Sequence, residues 1–260
     1  MTDDQPLSDA PPEVLQAEEQ EQAAVRREDE YPFWSYQDVL VLACLAVPAL
    51  FLAFVISQGT FFLLRITPPR AVVPLVSQFL GYGFWFAFLF MMFRFRYARP
   101  FWESLAWVKP QHGMVASIFA GPMLAFTVAI LGVLLRTPEI EMPFRDLLAD
   151  RVSILLLGLF ATTLGPLCEE LAFRGFLMPL LMRSFGVVAG IVLTSLPFAL
   201  LHGPQYGWSW RHILLLTLAA SAFGWMRYKT GSTATATVMH ATYNLTFFTA
   251  FLLQGRNLHV

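Results

Sequence analysis

Three groups of polar side chains interrupt apolar stretches of this sequence: Glu169, Glu170 and Arg174 in PLCEELAFRG, His202 in SLPFALLHG, and His240 with Asn244 in TVMHATYNLT. The types are those of acid–base chemistry. Two carboxylates and two imidazoles can take and return protons, and an amide can donate to a developing negative charge. Helical spacing separates the two glutamates. Glu170 and Arg174 are four residues apart with the acid first, the favoured order for a same-face ion pair. Glu169 is turned about 100° from Glu170 and can face a different neighbour or a cavity. It is therefore the reactive candidate. His202 shares a helix face with Phe198. His240 shares one with Asn244, so that pair can aim two hydrogen-bonding groups at one point, in the manner of an oxyanion hole.

The elements that must carry these groups are membrane helices. Of 260 residues 57% are hydrophobic and 13% charged, with a mean hydropathy of +0.58, whereas soluble domains carry about a quarter charged residues. An ionisable group inside a spanning helix costs on the order of 3 kcal/mol or more, which makes each of the three clusters a functional candidate by default. A span needs about 20 apolar residues to cross a hydrocarbon core of about 30 Å. Seven candidates follow one another: 39–57, 71–93, 114–135, 151–182, 185–201, 210–228 and 233–253. The fourth is too long for one perpendicular crossing. It contains Gly165 and Pro166, and the missing donor of Pro166 predicts a kink just before Cys168 and Glu169. The fold class is thus all-α, a polytopic transmembrane bundle of about seven spans.

Ten acidic residues lie in the first thirty. Residues 1–34 read as a disordered, solubilising acidic tail without a cleaved signal, 35–140 as N-terminal transmembrane helices, and 150–254 as the catalytic transmembrane domain. Between the second and third spans, FRFRYARPFWESLAWVKPQHG alternates arginines with aromatics, as a segment at the headgroup boundary does. Nine Lys or Arg on one side against seven on the other favour a cytoplasmic N-terminus. No basic patch with stacking aromatics suits nucleic acid. Cys44 and Cys168 both sit in apolar stretches and can form neither a disulfide scaffold nor a cysteine zinc site.

The motifs EExxxR, FxxxH and HxxxN follow in this order on three different helices. The set, made of Glu169, Glu170 and Arg174, then Phe198 and His202, then His240 and Asn244, closely resembles the CPBP (CAAX protease and bacteriocin-processing) family of intramembrane proteases. The resemblance covers residues 154–253 and departs from the pattern at no motif position. It implies an integral, multi-pass endopeptidase of a bacterial inner membrane, acting on a membrane-associated peptide or protein and needing no obligate partner beyond the bilayer. A compatible mechanism follows from the residues. Glu169, assisted by His202, takes a proton from water, Glu170 and Arg174 orient the base, and His240 with Asn244 stabilises the oxyanion. No cofactor is required on this reading. The alternative is catalytic zinc held by Glu169, His202 and His240. There is no HExxH, no pair of aspartates within the spans and no GxSxG around Ser232, which sets aside other intramembrane protease classes. The rival from another class is a proton-coupled transporter that uses the same groups as a relay, though no internal repeat supports it.

Overall fold

A computed structural model describes residues 31–140, 145–148 and 150–256. The acidic tail expected over 1–34 falls outside the described residues as far as residue 30. Its last residues do not behave as a tail: Trp34 is buried, stacks on Phe176 with ring centroids 5.3 Å apart, and donates from Nε1 to the Phe176 carbonyl at 3.0 Å. An indole buried with its N–H paired is worth keeping in a core, which is why packing continues to residue 31.

The described residues form helices and no strand. They are α1 (Tyr36–Leu64), α2 (Val72–Met91), α3 (Met114–Leu134), α4 (Arg151–Thr162), α5 (Leu164–Glu170), α6 (Met178–Phe185), α7 (Val187–Leu201), α8 (Trp210–Thr230) and α9 (Thr233–Arg256). Single turns of π-helix extend α2 over Met92–Arg96 and join α5 to α6 over Leu171–Leu177, and a short helical turn covers Phe101–Ser104.

Helices thus stand at all seven expected positions. Among the described residues four stretches are long and apolar enough to cross a membrane: Tyr36–Leu64, Val72–Arg96, Met114–Leu134 and Arg151–Phe185. Their outward faces carry exposed Val47, Phe51, Phe119, Met123, Val133 and Leu155, side chains that lipid can solvate. α7 is apolar but short, about 22 Å at 1.5 Å per residue. α8 and α9 have the length but more polar sequences, α8 with Arg211, His212, Arg227 and Lys229 toward its ends and α9 with six threonines.

Helix ends are pinned by side chains. Asp38 accepts from the Ser35 backbone at 2.8 Å and from the Tyr97 hydroxyl at 2.6 Å, tying the start of α1 to the segment after α2. Asp150 caps α4 by accepting from Ser153 N at 2.8 Å, and the Ser153 hydroxyl accepts from Ala71 N at 3.0 Å. The N-termini of α2 and α4 therefore lie at the same end of the bundle.

The long fourth stretch breaks at Thr163, whose φ of −133° and ψ of −83° interrupt the helix, and not just before Cys168 as Pro166 suggested. Pro166 falls in the first turn of α5, where a missing N–H costs nothing because no preceding carbonyl needs it. One buried core joins the N-terminal helices to the π-turn, with Trp34, Leu42, Leu89, Phe93, Leu105 and Phe176 in contact. A second, built on Ala125, Leu215, Ala219, Phe223, Met239 and Tyr243, fixes α3, α8 and α9 together.

Candidate active site

Glu169 and Glu170 close α5, and the π-turn begins at the next residue. Such turns are rare and cluster at functional sites because they displace one helix face. Arg174, inside the turn, donates from Nη1 to Glu170 Oε1 at 2.9 Å, and both side chains are fully buried. Arg174 Nη2 also donates to the Ala220 carbonyl of α8. Its guanidinium lies 4.9 Å from the Phe198 ring centroid and 5.6 Å from that of Phe223, so two aromatic faces flank the buried cation.

His240 on α9 meets both glutamates. Its Nδ1 stands 2.9 Å from Glu170 Oε1, and its Nε2 stands 3.8 Å from Glu169 Oε2. Glu170 Oε1, which already accepts from Arg174, can also accept from His240 Nδ1, and the opposite ring nitrogen, Nε2, is directed at Glu169. The 3.8 Å separation exceeds a direct hydrogen bond, yet one oxygen about 2.8 Å from each atom can contact both. The two acids differ in access: the Glu169 side chain is 21% exposed and that of Glu170 0%. The imidazole is stacked on Phe223 at 4.5 Å and 18°, which fixes its plane.

His202 caps the end of α7. A carbonyl can only accept, so its Nδ1 donates to Phe198 O at 2.8 Å and leaves Nε2 as an acceptor. Its ring is 4.7 Å from that of Phe198, which lies 5.8 Å from the ring of His240. Phe198 thus stands between the two histidines. Asn244, one turn beyond His240, donates from Nδ2 to the Ala161 carbonyl at 2.7 Å, next to the helix break. The structure therefore joins Glu170, Arg174 and His240 by direct hydrogen bonds, sets Glu169 3.8 Å from His240, reaches His202 through Phe198, and anchors Asn244 to α4.

Three histidine, cysteine, aspartate or glutamate side chains do not gather at metal-ligand spacing anywhere among the described residues. Glu169, His202 and His240 in particular do not form a three-ligand set.

Two side chains at the site carry no motif. Phe223 stacks on His240 and flanks Arg174, but in the sequence it reads as one more core aromatic. Tyr82 of α2 accepts from Gln78 Nε2 at 2.9 Å, stacks on Phe160 at 6.3 Å, and lies within Coulombic reach of Glu169. Only its hydroxyl, unusual in the apolar run of α2, could have marked it.

No curated protein and no solved structure matches the chain. One family model does match, that of the type II CAAX prenyl endopeptidase Rce1-like family, over residues 151–246. That segment holds every residue of the three motifs. With four stretches long and apolar enough to cross a membrane among its described residues, the chain is an integral membrane protein, and its residues 151–246 are similar to the type II CAAX prenyl endopeptidase Rce1-like family.

Proposed function

We propose that the chain is an intramembrane endopeptidase, CAAX-protease-like, which hydrolyses a peptide bond of a membrane-associated peptide or protein. The observation that carries this reading is the opposition of Glu169 Oε2 and His240 Nε2 at 3.8 Å, with Glu170 and Arg174 holding the imidazole from behind. In the proposed reaction a water gives a proton to Glu169 while the Nε2 acceptor of His202 orients it. The resulting hydroxide adds to the scissile carbonyl. His240 in its protonated form, held through Nδ1 by Glu170, donates from Nε2 to the oxyanion with the Asn244 amide beside it, a term worth about 3 to 4 kcal/mol per donor. The C–N bond breaks, and the proton held by Glu169 leaves with the amine. The seven helices are read as seven spans in a bacterial inner membrane, with the N-terminus on the cytoplasmic side where Lys and Arg are in excess.

The test is cleavage of membrane-anchored peptides, a farnesylated CAAX peptide first, by the protein in proteoliposomes, read by mass spectrometry. Wild type should cleave, and Glu169→Gln at equal expression should lose about 10²- to 10⁴-fold in rate. Undiminished cleavage by Glu169→Gln would remove the assigned base. Proton uptake into the vesicles without any cleavage would favour a transport relay instead.

A further inference from the structure

Arg227, near the end of α8, is 9% exposed and has no carboxylate partner among the described residues. Its Nε donates to Thr233 Oγ1 at 3.0 Å, and its Nη2 lies 3.5 Å from the Tyr31 hydroxyl. A buried guanidinium without a counter-ion is costly, because its hydration is lost and no anion replaces it. Arg227 does not face solid core. It lines a cleft of about 370 Å³ together with Tyr31, Pro32, Met178, Met182 and Arg183. Arg183, which is exposed, reaches over the cleft to donate from Nη1 to the Pro32 carbonyl at 2.6 Å. Each guanidinium has five N–H donors in a fixed fork, and these contacts leave donors on both free for a ligand. Two arginines on one cleft suit a phosphate, which takes paired N–H donors in the plane of the fork.

The cleft's place in the bundle says where that phosphate comes from. It lies where α6 and α8 end and α7 begins, beside the start of α1. Exposed Tyr31, Tyr36, Trp225 and Tyr228 surround this end, and Lys229 sits 4.9 Å over the Trp225 ring. Aromatics and cations at a bundle end mark the headgroup layer of a bilayer. The apolar Met178 and Met182 line the side of the cleft that would meet the glycerol and first methylenes.

We propose that this cleft is a phospholipid site, in which Arg183 and Arg227 clamp the headgroup phosphate. The site is separate from the glutamate–histidine cluster and does not depend on the endopeptidase reading.

The test uses the full chain in a neutral detergent after lipid removal. Short-chain phosphatidylglycerol, the matching diacylglycerol and inorganic phosphate are added separately, and retention is read by native mass spectrometry and melting temperature. Phosphatidylglycerol should bind and raise the melting temperature while diacylglycerol does neither. Arg183→Gln, which leaves the buried contacts of Arg227 in place, should weaken binding about tenfold, and Arg183→Gln with Arg227→Gln should abolish it. Equal stabilisation by inorganic phosphate would keep the arginine clamp but overturn the lipid as its source. Equal retention of diacylglycerol, or unchanged binding by an Arg183→Gln protein that melts like wild type without ligand, would overturn the site.

Discussion

His240 Nδ1 and Arg174 Nη1 share one oxygen, Oε1 of Glu170, each at 2.9 Å. That oxygen joins α9 to the π-turn after α5, and the same arginine reaches α8 through Ala220. Three helices therefore converge on one fully buried carboxylate. On the proposed reading Glu170 is the positioning group of the cluster, and Glu169, next to it in sequence but partly exposed, faces substrate and water.

Removing either side of this buried pair should cost more than removing the partly exposed Glu169. Glu170→Ala strands Arg174 without its anion and should lower stability by about 3 to 5 kcal/mol. Arg174→Lys keeps the charge but not the fork that spans Glu170 and Ala220, and should destabilise to a lesser extent. Glu169→Gln should melt close to wild type. Unfolding of the three variants in detergent checks the order, and a Glu169→Gln protein as unstable as Glu170→Ala would contradict the division of roles.

A chelator should leave cleavage intact. Catalytic zinc takes three protein ligands at about 2.0 to 2.2 Å, and the described residues gather no such set. Activity measured after prolonged treatment with a strong zinc chelator should match the untreated enzyme. Loss restored by added zinc would show that His202 moves onto the Glu169–His240 pair in the working state.

Much of the cluster was legible because ionisable groups in apolar helices are too costly to be incidental. The i, i+4 spacing of Glu170 and Arg174 foretold a contact that the π-turn preserves. Phe223 was not legible, since a ring that steers a histidine looks like any ring that fills a core. The break at Thr163 was misread because proline advertises a lost donor, whereas the first turn of a helix has donors to spare. On α9 the sequence marked His240 and Asn244 but not the Thr-rich first turns, where Thr233 and Thr235 are fully buried against neighbouring segments, with Thr233 Oγ1 donating to the Leu105 carbonyl at 2.6 Å.

Stability should depend on acid at the start of α4. The Ser153 hydroxyl, then the Ser153 N–H, donates to Asp150 and holds its carboxyl below the ordinary value of 3.8. A carboxylate with a lowered folded-state pKa stabilises above its unfolded value, and the benefit disappears as pH falls through the folded one. The difference in melting temperature between wild type and Asp150→Ala should thus be present at pH 7 and shrink as the pH is taken below 3.8. A difference that persists unchanged in acid would mean that the cap acts through shape and not charge.

A position away from the polar cluster that should be sensitive is Gly121 on α3. A Cβ built there would run into Thr242 Oγ1 and the Met239 carbonyl, and would stand 2.7 Å from Tyr243 N. Two of the three obstacles are backbone of α9, which cannot swing aside as a side-chain end can. Met239 precedes His240 directly, so any separation of α3 and α9 shifts the imidazole relative to Glu169 and Glu170. Gly121→Ala should destabilise by about 1 to 3 kcal/mol and reduce cleavage together with stability. Gly59 on α1 is the matched control, because a Cβ there meets nothing within 4 Å and replacing a helical glycine by alanine gains about 0.5 to 1 kcal/mol. Gly59→Ala should melt at or above wild type and cleave normally. If both variants behave alike, α3 does not press on α9 as closely as the Gly121 contact requires, and the imidazole is held by Glu170 and Phe223 alone.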